Sequence, residues 1–295
     1  MKRELDASDI AALAPSEKVG LVGTIDPDGE PRLSILTTIM ATGARGLTVG
    51  EFSRGQSKRN MAARPKVGFL VMGLDRRLWR GRAAWTRSRR EGPEYEAYNR
   101  QPMFRYNTYF GINTVHYLDL VDAEGPAPLP MGGIILASLA TIAKARGSRA
   151  HRPVGASGPA GGPSGPAGGD VMPPSAIAIL DRLASLSFLC AIDAEGYPRV
   201  VPVIQARSAG RSRIVFTPGP WRDELLALPE GARTAILTMN LGMESFLSRG
   251  SLRRLDGLRP GRGLLGVDLD WLYNSAPPIH GQVYPPLPLT AKVLT

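Results

Sequence analysis

Short runs in which apolar residues dominate, each closed by a cluster of turn-forming residues, recur along most of this chain and predict strands. Val19 to Ile25 is one such run. Asp26-Pro27-Asp28-Gly29 has the side chains of a turn, and Arg32 to Ile39 resumes the apolar pattern, so the three together predict a hairpin. Gly46 to Gly50 predicts a short third strand. Gln56 to Ala63 has helical spacing and stops before Pro65, after which Val67 to Met72 and Leu78 to Trp85 predict a second antiparallel pair, with Thr114 to Val121 as a sixth strand. A short helix over Leu5 to Leu13, capped by Asp6 or Ser8, precedes the set. Six short strands and one small helix favour a closed or partly open antiparallel barrel.

The same order returns later in the chain. Ile25-Asp26-Pro27-Asp28-Gly29-Glu30-Pro31-Arg32 is echoed by Ile192-Asp193-Ala194-Glu195-Gly196-Tyr197-Pro198-Arg199, with Gly196 standing 167 positions after Gly29. The pairs Leu70/Leu237 and Met72/Met239 keep that spacing. After an amphipathic helix over Ala176 to Leu186, the second set runs through Phe188 to Ile192, Arg199 to Gln205, Arg213 to Phe216, a helix at Trp221 to Leu228, Thr234 to Met239, Ser245 to Arg254 and Gly266 to Tyr273. Gly147 to Asp170 is Gly/Pro/Ala/Ser-rich and reads as a linker. The expected architecture is mainly β with some α: two tandem six-stranded antiparallel barrels of Greek-key type, forming a pseudo-dimer within one chain. Its boundaries are 1–146, a linker at 147–172, and 173–295.

A length of 295 residues, 43% hydrophobic and 21% charged, suits two soluble globular domains. The uncharged stretch Pro128 to Ala143 is shorter than a bilayer span and predicts a buried helix. With no apolar stretch behind Met1-Lys2-Arg3, no secretory signal is expected, and the cytoplasm is the default compartment. The single cysteine, Cys190, lies in an apolar run and reads as a buried residue. The formal charge of +10 comes mostly from scattered arginines, which favours a solvated basic surface or attraction of small anions over nucleic-acid binding.

Candidate chemistry gathers in Gly50-Glu51-Phe52-Ser53-Arg54-Gly55-Gln56-Ser57-Lys58-Arg59-Asn60, where hydroxyls, cations and a helix start lie together. Helix-start amides with Ser57, Arg54 and Lys58 suit a phosphate. Ser34 and Thr38 share one face of the adjacent strand and Thr37 lies on the other. In the second copy Ser57 and Lys58 become Glu224 and Leu225, so a phosphate site is expected in the first copy alone. Between the fifth and sixth strands, Thr86 to Gly111 carries Tyr95, Tyr98, Phe104, Tyr106, Tyr109 and Phe110, as a lid or as a segment packed on the barrel. No acid, base or nucleophile announces itself, and the three histidines, His116, His151 and His280, have no metal-ligand spacing.

The run Val19 through Met72, with its Asp-x-x-Gly-x-Pro turn, Ser57-Lys58-Arg59-Asn60 and Arg64-Pro65-Lys66-Val67-Gly68, resembles the FMN-binding split-barrel superfamily typified by pyridoxamine 5'-phosphate oxidase. The resemblance implies a split barrel that holds FMN through Ser34, Thr37, Thr48, Arg54, Gln56, Ser57, Lys58 and Asn60. It also implies an oxidoreductase working by hydride transfer on a small molecule; a nicotinamide cofactor is one candidate electron donor. The oxidase's own strand-two Arg/Lys pattern and C-terminal arginine motif are absent in recognisable form, so only its cofactor site carries over. Trp79, Trp85 and Tyr109 are candidates to line a ring pocket. A deazaflavin in place of FMN, or haem on His116 or His280 in a non-catalytic binding protein, are the alternatives.

Overall fold

The Asp26–Glu30 turn shows how locally the hairpins are specified. Asp26 Oδ1 accepts from the amides of Asp28 and Glu30 at 3.1 and 3.0 Å, and Gly29 supplies the positive φ of 84° that the reversal needs. Its echo repeats the construction: Asp193 Oδ1 accepts from the amides of Glu195 and Tyr197 at 3.0 and 2.8 Å, and Gly196 has φ 80°.

The structure is a computed structural model that describes residues 1–52, 55–101, 111–150, 169–240, 242, 244–255, 263–275 and 281–286, with side chains to 145 in the helix that ends at 150. The chain divides into two units, Met1–Pro130 with Cys190–Val200, and Met131–Leu189 with Val201–Thr295.

In the first unit, β1 (Lys18–Ile25), β2 (Pro31–Ile35), β3 (Met40–Ala41), β4 (Gly46–Glu51), β5 (Lys66–Gly73), β6 (Arg77–Arg89) and β7 (Thr114–Pro128) form one antiparallel sheet. Its strand order is β2-β1-β5-β6-β7-β4-β3, so β5, β6 and β7 run as consecutive hairpins and β4 lies beside β7, a Greek-key arrangement.

Seven strands replace the six expected: the run Arg32 to Ile39 is cut at Ile35, and the two-residue β3 follows beyond it. Ile39 N donates to Leu36 O in a tight turn, and Thr38 Oγ1 donates to Gly50 O at 2.8 Å. That cut curls the sheet. β2 and β3 are its two edges, and the five residue steps from Ile35 to Met40 reach at most about 18 Å, whereas the outer strands of seven laid flat would stand about 29 Å apart.

Inside lies an apolar cluster fed from most of the strands, including Val22, Leu47, Val49, Val67, Phe69, Val71, Trp79, Ala83, Leu118 and Leu120. Helix α1 (Ala7–Leu13) adds Leu13, and α2 (Gln56–Ala63) adds Met61. Trp79, a candidate for a ring pocket, is instead a core residue whose indole N–H donates to Asp9 Oδ1 at 2.9 Å. Helix α3 (Pro93–Arg100) packs Tyr95 and Tyr98 against Ile112, Val115 and Tyr117. Phe104, Tyr106, Tyr109 and Phe110 lie outside the described residues.

The later strands, β8 (Leu186–Ile192), β9 (Pro198–Pro202), β10 (Arg207–Ser208), β11 (Arg213–Phe216), β12 (Arg233–Met239), β13 (Ser245–Arg254) and β14 (Leu265–Asn274), take the order β10-β11-β14-β13-β12-β8-β9. That is the first order read from its other end. A short β15 (Gly281–Tyr284) is added on β14.

Bonds recur at the spacing of 167. Leu36 N donates to Gly20 O and Val203 N to Ser187 O; Trp85 N donates to Pro65 O and Leu252 N to Ala232 O.

One helix departs from the expected boundaries. Helix α4 (Met131–Ala150), whose first sixteen residues the sequence grouped with the first copy, belongs to the second unit. Thr141 Oγ1 accepts from Thr217 N at 2.9 Å, and Thr217 Oγ1 donates to Ala137 O at 3.0 Å. Among the described residues the remaining α-helices are α5 (Pro174–Leu180) and α6 (Arg222–Ala227). Among the described residues, no helix is long and apolar enough to cross a membrane.

Candidate functional site

The inner face of the first sheet changes character at one end. Along β4, Leu47, Val49 and Glu51 share a face, and their ladder partners on β7 are Leu118, His116 and Thr114. Leu47, Val49 and Leu118 belong to the core, so His116, Thr114 and Glu51 continue a core face in polar residues. On β6 the register slips between Trp85 and Arg87, and the extra residue puts Ser88 back on the face of Trp85, opposite His116.

These positions make a buried chain of hydrogen bonds. Trp85 Nε1 donates to His116 Nδ1 at 3.2 Å, and His116 Nε2 lies 2.8 Å from Glu51 Oε2. An indole nitrogen only donates, so Nδ1 is the acceptor and the ring proton on Nε2 points at the carboxylate. Both imidazole nitrogens are thereby engaged, which leaves neither for iron in this arrangement. Glu51 and His116 are 5% and 6% exposed, yet Glu51 Oε1 has no hydrogen-bond partner among the described residues.

A cavity of about 450 Å³ opens onto this chain, lined by Glu51, His116, Thr114 and Ser88 and by the cations Lys58, Arg59, Arg89 and Arg90, with Ala62. Lys58, Arg59 and Ala62 present one face of α2. The N-cap of that helix is Gly55, which brings no side chain to its first-turn amides. Lys58 folds back over them: its Nζ lies 3.6 Å from where a Cβ on Gly55 would sit. Burial pushes the Lys58 ammonium below its ordinary value, and the charge of Glu51 opposes part of that shift. A cation at the positive end of a helix is stabilised by an anion.

The residues expected to hold a cofactor divide into groups. Lys58 lines the cavity. Ser57 is buried in the first turn of α2 beside it. Asn60 is buried with Nδ2 donating to Thr24 Oγ1 at 3.2 Å, and Gln56 Nε2 donates to Asn60 Oδ1 at 2.8 Å, so these two seat α2 on β1. Thr48 is buried under α3, with Oγ1 3.0 Å from Tyr98 OH, which itself donates to Thr38 O at 2.5 Å. Ser34 is half-buried on β2 opposite Val22, and Thr37 is half-buried in the turn that follows. Arg54, like His151 and His280, lies outside the described residues.

Sequence reasoning passed over Glu51, Ser88, Thr114 and the pair Arg89-Arg90 as site residues and weighed His116 only for iron. One signal was available: Leu47-x-Val49-x-Glu51 puts a carboxylate on the alternation that builds a core. Among the described residues no group of three or more metal-ligating side chains could hold an ion.

No protein-family model and no curated protein matches the chain. Solved structures do. An FMN-binding protein from Syntrophomonas wolfei subsp. wolfei is similar at 13% identity and a TM-score of 0.35, over 41% of this chain and 84% of that one. HupZ of Group A Streptococcus is similar at 15% identity and a TM-score of 0.34, over 40% of this chain and 92% of its own. A haem-binding protein from Mycobacterium smegmatis is similar at 20% identity and a TM-score of 0.28, over 38% of this chain and 50% of its own.

Proposed function

We propose that this chain is an FMN-binding flavoprotein of the pyridoxamine 5'-phosphate oxidase-like class, an oxidoreductase that acts on a small molecule and keeps its cofactor in the first unit. The observation that carries the reading is the start of α2: bare first-turn amides under a desolvated Lys58 ammonium, at a position where the second copy has the fully buried Leu225. The donor set fits a phosphate-bearing cofactor. Amides and ammonium meet the phosphate, and Ser57 in the same turn adds a hydroxyl. Bound FMN supplies hydride transfer, so the protein needs no nucleophile of its own.

The work left to the protein is binding, orientation and exclusion of water. Gln56 and Asn60 hold α2 against Thr24, which fixes the direction of its amides. Tyr98 and its neighbours cover β4 from outside and keep that strand's end in place. In this reading Ser34 and Thr37 lie along the ribityl phosphate, Arg54 joins Lys58 in neutralising it, and a nicotinamide is the electron donor. The second unit serves as scaffold.

The test is flavin retention by the full chain carrying R54A and K58A. Affinity for FMN, read by fluorescence quenching, should fall at least about a hundredfold with the thermal transition unchanged. Wild-type protein that ignores added FMN, or a double variant that binds it equally well, would sink the reading.

A further inference from the structure

We infer that the cavity between α2 and the ends of β6 and β7 is a recognition site for a hydroxyl-bearing phosphate monoester, with Glu51 Oε1 as the acceptor that reads the hydroxyl. The cavity presents four cations to a single carboxylate, a balance that suits a dianion. The carboxylate among them would be a liability for a bare phosphate. It stands at a core-face position, and His116 aims it by occupying its other oxygen, while Trp85 holds the imidazole from its far nitrogen. The remaining oxygen is buried without a partner among the described residues, and an unmet buried acceptor is stabilised only by a donor.

The ligand therefore carries its own O–H beside its phosphate. Such a group discriminates strongly, because an analogue lacking the hydroxyl leaves the carboxylate oxygen as it was.

The second copy argues the same point in reverse. Val49 pairs with His116, and its counterpart Phe216 pairs with Leu265; Trp85 corresponds to Leu252, Lys58 to Leu225 and Arg59 to Leu226. Leu225, Leu252 and Leu265 are at most 1% exposed. The fold closes these positions with leucine, so the polar set in the first copy answers to a ligand and not to the barrel.

Two sources can present this chemistry: the ribityl phosphate of a flavin, as the reading above would have it, or a separate sugar phosphate. The experiment is calorimetric titration of the full chain with ribose 5-phosphate and with methyl phosphate, before and after loading with FMN. Wild-type protein should bind ribose 5-phosphate at least about tenfold more tightly than methyl phosphate. Competition with FMN would assign the site to the cofactor's tail, and binding alongside FMN would assign it to a substrate. Failure to bind FMN at all would end the flavin reading and leave the sugar-phosphate arm standing.

Glu51→Gln keeps an oxygen for His116 and turns an NH2 toward the cavity, so the preference for ribose 5-phosphate should vanish. The exposed pair R89A/R90A does not touch the core, and it should weaken both ligands about tenfold while keeping their ratio. Equal binding of the two ligands by wild type, an undiminished preference in Glu51→Gln, or unchanged affinities in R89A/R90A would overturn the proposal.

Discussion

The two copies of the repeat share their strand order, their turns and individual hydrogen bonds, and they differ where a core face reaches the end of the sheet. In the first, Thr38 Oγ1 donates to Gly50 O at 2.8 Å; in the second, at the same spacing, Gln205 Nε2 donates to Thr217 O at 2.6 Å. Different side chains thus hold the same edge. Beyond that edge the first copy buries His116 and Glu51 and half-buries Trp85 and Lys58, whereas the second buries leucines at three of the four positions. Burying a carboxylate and an ammonium opposes folding unless partners compensate, and the second copy shows that the barrel does not require them. Polar groups that the scaffold can do without mark the site.

The most severe way to break the comparison is to place the first copy's cation in the second. Leu225→Lys puts an ammonium at a fully buried position and should cost about 4 kcal/mol in urea unfolding without creating an anion site. The reverse exchange, Lys58→Leu, should leave stability equal or higher while anion binding falls.

Next in size is His116→Leu, which copies Leu265 and strips Glu51 of the imidazole that meets its Oε2. Its cost should be about 3 kcal/mol, and adding Glu51→Leu should restore most of it, since an apolar pair often replaces a buried polar one without loss. A double variant as unstable as the single one would show that the pair serves the scaffold after all.

Lys18 sharpens the comparison through pH. Its Nζ donates to Leu13 O at 2.5 Å, closing the end of α1, and Ser185 closes α5 in the same way, donating to Ile179 O at 2.6 Å. Burial pushes the Lys18 ammonium down to about 8 from its ordinary 10.5. Below pH 8 both folded and unfolded chains hold that proton, and the full burial cost is present. Between 8 and 10.5 the unfolded chain holds more protons, so this residue's contribution to stability rises with pH. Relative to Lys18→Ser, wild-type stability should therefore climb between pH 7.5 and 10, by at most about 3 kcal/mol; parallel curves would contradict the assignment.

The smallest effect concerns the helices that cover the two edges. Tyr98→Phe removes the hydroxyl that meets Thr38 O and Thr48, and Thr141→Val removes the one that meets Ala137 O and Thr217. Each should cost about 1–2 kcal/mol by thermal denaturation. A much larger loss in one copy would mean that its helix does more than cover an edge.

The sequence alone determined the longer strands, the Asp-x-x-Gly turns, the repeat and its spacing, and the loss of Lys58's charge at Leu225. All of these are local: side-chain period, turn chemistry and identity at a fixed offset. It also marked α2 as the place to look, because a helix start with hydroxyls and cations is contiguous in the chain. It overextended the second strand, since nothing in Arg32 to Ile39 announces that Thr38 turns away to bond Gly50.

Only the tertiary structure decided that Glu51 faces His116. Alternation reports which face of a strand a residue takes, but the Greek-key order that lays β4 beside β7 depends on the sheet curling until its edges approach. The slip in register at Trp85 and Arg87, which returns Ser88 to the same face, is likewise invisible to a period of two. A site assembled from residues 51, 58, 88 and 116 exists only once long-range pairing has brought those strand ends together, and no local propensity encodes that neighbourhood.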